Sequence, residues 1–129
     1  MYESGEMYLE NILILSEQLD KVRAVDLSHK MKFSKTAVSH ALSKLKESGH
    51  ISIDDHGRIT LTKNGKILAL KVYSKHKILK DALIKIGVDN VIAEKDACRI
   101  EHYVSNETID AITKYISKIQ DNKNMDGNE

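Results

Sequence analysis

The chain has 129 residues, 41% of them hydrophobic and 30% charged, with one cysteine and no proline. This balance excludes a disordered chain and a disulfide scaffold. Apolar runs no longer than Ile12-Leu13-Ile14-Leu15, and no Lys or Arg among the first twenty residues, argue against a membrane span or a signal sequence, so a folded cytoplasmic protein is expected.

The net charge of +1 hides a division along the chain: residues 1–20 carry −5, 21–50 carry +5, 51–61 carry −1, 62–86 carry +6 and 87–129 carry −4. Two basic blocks between acidic ends suit one surface that faces phosphates and another that attracts cations or pairs with a second copy.

In chain order, Leu9, Ile12, Leu13, Leu15 and Leu19 recur at helical spacing and predict a first helix over 7–19. A short second helix follows over 24–31, then a tight turn at Lys32 and Phe33. Ser34 is placed to cap a third helix over 35–48, which buries Val38, Ala41, Leu42 and Leu45 and stops at Gly49. Ile51-Ser52-Ile53 and Arg58-Ile59-Thr60-Leu61 flank an Asp/Gly turn and predict a β-hairpin. Thr62 caps a long helix to about Ile86, Asp89 caps another to about Val104, and Ser105 caps a last one to about Ile119; residues 121–129 read as a disordered tail. The fold class is thus mainly α with a small β-hairpin. Helix, short helix, turn, helix and hairpin over residues 1–61 is the order of a winged helix-turn-helix.

In that motif the N-terminal part of the second helix meets the major groove. Ser34, Lys35, Thr36, Ser39 and His40 are the polar groups there, with Lys44 and, on the wing, Arg58 placed for the phosphate backbone. The partner these imply is double-stranded DNA.

Further along, Cys98, Glu101 and His102 stand at i, i+3 and i+4, one face of a helix. Thiolate, carboxylate and imidazole together suit Fe(II), Co(II), Ni(II) or Zn(II) better than Mg(II) or Ca(II). Met7 and Glu10 on the first helix and His76 on the long one could complete the set. Singly, each of these residues has an ordinary structural explanation.

Both constellations, in this order, resemble the diphtheria toxin repressor family of iron- and manganese-responsive repressors. The resemblance rests on Glu6-Met7-Tyr8-Leu9-Glu10, Lys75-His76-Lys77 and Ala97-Cys98-Arg99-Ile100-Glu101-His102-Tyr103-Val104-Ser105. It implies a DNA-binding domain over 1–61, a helical metal-binding and dimerisation domain over 62–120, and a homodimer on a palindromic operator when loaded with a divalent metal. Met7, Cys98, Glu101 and His102 match the primary site of the iron branch, Glu10 matches a ligand of the manganese branch, and His76 matches both.

The iron branch's ancillary site would need an acid at Lys80 and a histidine at Glu94, so His76 is expected instead to join Glu10 and Glu101 in a second position resembling the manganese branch. The C-terminal SH3-like domain of many iron-branch members has no counterpart in these residues. The sulfur donors favour Fe(II), with Mn(II) the alternative.

Two other classes compete. One is a metal-independent winged-helix regulator sensing a small molecule or oxidant through Cys98. The other is an enzyme with Cys98 as nucleophile and His102 as base, disfavoured because no Gly-rich oxyanion loop accompanies the pair. The expectation is therefore no enzyme, no small-molecule substrate and no membrane partner.

Overall fold

The computed structural model describes residues 3–127, in the order α1 (Glu3–Gln18), α2 (Ala24–Met31), α3 (Lys35–Glu47), β1 (Ile51–Ile53), β2 (Ile59–Leu61), α4 (Lys63–Lys85), α5 (Asn90–Ile100) and α6 (Asn106–Gly127). Local chemistry sets most of these boundaries. The Ser34 hydroxyl accepts from Ala37 N at 3.1 Å and caps α3. Asp89 accepts from Val91 N at 3.1 Å at the head of α5, and Ser105 from Thr108 N at 3.1 Å at the head of α6. Between α2 and α3, Lys32 takes a left-handed conformation (φ 57°), and Ser28 Oγ donates to the Phe33 carbonyl at 2.7 Å across the turn.

Residues up to Tyr73 form one compact unit and residues from Ser74 another. In the first, Leu9, Ile12, Leu27 and Val38 are fully buried, and Tyr8, Leu42, Leu45, Ile51 and Ile59 join them in one apolar cluster. Burial of a side chain of this size contributes about 1.5–3 kcal/mol. β1 and β2 pair antiparallel, Ile51 with Leu61 and Ile53 with Ile59, so their apolar positions face the helices. Val22, between α1 and α2, adds a bridge to Ile59, whose N–H donates to the Val22 carbonyl at 2.8 Å. This is the winged helix-turn-helix expected from the sequence.

By compactness the two units divide within α4, between Tyr73 and Ser74. Ala69, with Leu68 and Tyr73 packed beside it, belongs to the apolar cluster of the wing, so the first turns of α4 are part of the first unit. The second unit has its own smaller cluster of Leu79, Ala97 and Ile109, with Ile78, Val104 and Ile112 packed against it.

Two helix ends differ from expectation. α5 stops at Ile100 rather than near Val104, because Tyr103 N and Val104 N both turn back to the Ile100 carbonyl and free the chain for the Ser105 cap. The chain from Asp121, expected to be disordered, continues α6 as far as Gly127, since no proline or earlier glycine interrupts it; residues 128 and 129 of the expected tail lie outside the described residues. Among the described residues no helix is long and apolar enough to cross a membrane.

One glycine is dictated by a close approach that no turn motif signals. Thr62 Oγ1 accepts from Gly65 N at 3.1 Å and donates to the Gly49 carbonyl at 2.7 Å, which draws the head of α4 against the end of α3. A Cβ on Gly65 would overlap the His50 carbonyl oxygen. Gly65→Ala is expected to destabilise the chain by about 3 kcal/mol, at the upper end of overpacking costs, a loss that urea unfolding would measure.

Candidate metal centre and nucleic-acid interface

α3 presents Lys35, Thr36, Ser39, His40 and Ser43 around a shallow concavity of about 400 Å³. These residues are exposed while Val38, Leu42 and Leu45 hold the opposite side of the helix in the core. Ser34 heads this surface, but its hydroxyl is engaged as the cap. Lys44 is also exposed, one helical turn beyond His40. Ser43 was missed by the sequence reading, although its place four residues after Ser39 was a usable signal.

The wing is held open by its own turn. Asp54 Oδ1 accepts from His56 N and Arg58 N, each at 2.9 Å, and the Arg58 bond is the main reason its carboxyl lies below the usual range. Arg58 is exposed at this turn. Arg23, which the sequence did not single out, donates from Nε to the His56 carbonyl at 3.2 Å and ties the wing tip to the head of α2.

In the second unit, α4 supplies His76 and Lys80, α5 supplies Glu94 and Cys98, and the turn after α5 supplies Glu101 and His102. Glu101 is the C-terminal cap of α5, its N–H bonded to the Ala97 carbonyl at 3.0 Å. Glu101 thus still follows Cys98 by nearly one helical turn, whereas His102 is delivered by the turn and not by a continuing helix.

The donor atoms converge. His76 Nδ1 lies 2.8 Å from Glu101 Oε2 and 3.7 Å from Cys98 Sγ. Glu101 Oε1 lies 3.4 Å from His102 Nε2, the side chains of the pair being 2% and 4% exposed. On its other edge, His76 Nε2 lies 2.9 Å from Glu94 Oε1, and Glu94 Oε2 lies 2.8 Å from Lys80 Nζ. Met7 and Glu10 stand one turn apart on α1 in the first unit, Met7 half-buried and Glu10 buried.

This packing raises His76 to about 11, through Cys98 and Glu101 beside Nδ1 and then Glu94, against the opposing effect of burial. Glu94 is held below the usual carboxylate range, first by Lys80 and then by His76. At neutral pH, His76 is therefore an imidazolium between carboxylates. A thiol, a buried carboxylate and two imidazoles together form a donor set that fits a borderline divalent transition metal.

Two family models match the chain: "Iron dependent repressor, N-terminal DNA binding domain" over residues 1–57 and "Iron dependent repressor, metal binding and dimerisation domain" over residues 62–128. The chain belongs to the iron-dependent repressor family. It is similar to an HTH-type transcriptional regulator of Methanocaldococcus jannaschii, 31% identical over 123 residues that cover 94% of this chain and 98% of the relative. The transcriptional regulator MntR of Escherichia coli O157:H7 is 32% identical over 111 residues, covering 86% of this chain and 72% of the relative.

Among solved structures, a manganese-dependent transcriptional repressor in complex with manganese superimposes with a TM-score of 0.81 at 29% identity, over 88% of this chain. The present chain spans 52% of the length of that repressor. As a family member it is a metal-dependent transcriptional regulator, and these relatives are transcriptional regulators.

Because the folded His76 is raised above its unfolded value of 6.5, its contribution to stability is full below about pH 6.5 and is lost as pH rises through about 11. For the metal-free protein, the difference in melting temperature between wild type and His76→Gln is expected to shrink steadily from pH 7 to pH 11. Calorimetry across that range would measure it.

Proposed function

We propose that this chain is a homodimeric repressor that binds a palindromic operator when a divalent transition metal occupies the site built on Cys98, Glu101, His102 and His76. The convergence of Cys98 Sγ and Glu101 Oε2 on His76 Nδ1 carries this reading. Met7 and Glu10 of α1 match ligand positions by the family resemblance. The metal supplies a fixed double positive charge in place of the His76 proton. The protein's part is to hold the donors and to present Lys35, Thr36, Ser39 and His40 to base edges and phosphates, with Lys44 and Arg58 on the backbone.

The thiol of Cys98 and the thioether of Met7 favour Fe(II), because soft sulfur donors add little for Mn(II). Likeness to the manganese-dependent repressor and to MntR supports Mn(II) as a second reading.

A second copy of this chain fits the apolar groove between α4 and α6. Leu83, Ile86, Ile112, Tyr115 and Ile119 line it, and Ile86 and Tyr115 are 76% and 65% exposed. Exposed apolar surface of this kind on a small unit marks an association site, and the second family model describes a dimerisation domain.

Two experiments test the proposal. The double variant Cys98→Ala/Glu101→Ala should remain folded and dimeric yet lose metal-dependent operator binding by at least about 100-fold, the scale of removing two metal ligands. Fluorescence anisotropy with Fe(II), Mn(II) and a chelator measures this, and an undiminished metal response overturns the site. Ile86→Glu with Ile119→Glu should weaken the dimer at least roughly 30-fold, about 2 kcal/mol, by analytical ultracentrifugation.

A further inference from the structure

His76 has two ring nitrogens, and the structure gives them different neighbours. Nδ1 meets Glu101 Oε2 at 2.8 Å and Cys98 Sγ at 3.7 Å, both metal donors in the reading above. Nε2 meets Glu94 at 2.9 Å, and the other oxygen of Glu94 is held by the Lys80 ammonium at 2.8 Å. Each oxygen of Glu94 is thus committed, one to an imidazole N–H and one to a fixed cation. A carboxylate that accepts the far N–H of an imidazole sets its tautomer and ring angle and raises the basicity of the nitrogen that faces the metal.

We infer that the Lys80–Glu94 pair is a built-in cation and positioning device. It turns Nδ1 of His76 toward the metal and closes the Nε2 side to a second ion. Glu94 acts through His76 and is not itself a ligand, and Lys80 stands where a further cation would otherwise complete Glu94.

The pair is partly open to solvent, with Lys80 34% and Glu94 47% exposed, so as a surface ion pair it adds little to stability. Its effect falls on metal affinity and metal count. This inference rests on the proposed metal site and extends it: the chain takes one thiolate-bound ion where an acid in place of Lys80 would admit two.

Cobalt(II) titration of the full-length chain tests it. Absorption reads the thiolate-to-cobalt charge-transfer band, and equilibrium dialysis with elemental analysis counts ions per chain. Wild type should bind one ion with that band. Glu94→Ala should weaken binding by about 10- to 100-fold with the count still one, and Glu94→Gln should recover part of the loss because its amide oxygen still accepts from Nε2. Lys80→Glu should gain one further ion that adds no charge-transfer intensity.

A wild-type count of two, unchanged affinity in Glu94→Ala, or no added ion in Lys80→Glu would each overturn the inference. Absence of a thiolate band in wild type, or its persistence in Cys98→Ala, would instead sink the underlying metal site.

Discussion

The side chain of Glu101 is 2% exposed, and a carboxylate withdrawn this far from water needs a positive partner beside it. In the metal-free chain that partner is the His76 imidazolium, 2.8 Å away and itself 7% exposed. Removing either member would leave the other to its further neighbours, Glu94 beside His76 and His102 beside Glu101. In the metal site proposed above, the same two atoms, His76 Nδ1 and Glu101 Oε2, would serve as donors, so a proton and a metal ion would compete for one position.

The helices of that unit hold His76 and Glu101 opposed. α4 is an unbroken helix of 23 residues, so His76 and Lys80 lie one turn apart on one side of it. α5 sets Glu94 and Cys98 at the same four-residue interval, and its early end brings Glu101 and His102 into the turn. The apolar cluster of Leu79, Ala97 and Ile109 binds the helices that carry these groups. Half-exposed Lys80 and Glu94 then complete the outer edge of His76, where water screens them enough that their value is directional rather than energetic.

In the first unit the constraint is different, because the candidate binding surface is made by what the core leaves outside. Val38, Leu42 and Leu45 must face inward, which obliges Lys35, Thr36, Ser39, His40 and Ser43 to face out together. Asp54 and Arg23 hold the wing turn by bonds to backbone atoms, so Arg58 extends from an ordered loop rather than a free one. Gly65 lets α4 leave the wing at close range, and Ala69 seats it on the same core.

Most of the fold was legible in the sequence because its signals are local: the helical period of Leu9, Ile12 and Leu13, the caps at Ser34, Thr62, Asp89 and Ser105, and the Asp/Gly turn of the wing act over a few residues. The spacing of Cys98, Glu101 and His102 was legible for the same reason.

Tertiary structure alone decided what depends on distant neighbours. Examples are the Val22 bridge to Ile59, the clash that forbids a side chain at Gly65, and the junction of the units within α4. It also paired Lys80 with Glu94 and Glu94 with His76, residues 14 to 18 positions apart that no periodicity connects. Sequence determined which donors the chain carries, since each is a side-chain identity. Only folding determined which edge of His76 each donor meets, because that depends on how α4 and α5 lie against each other.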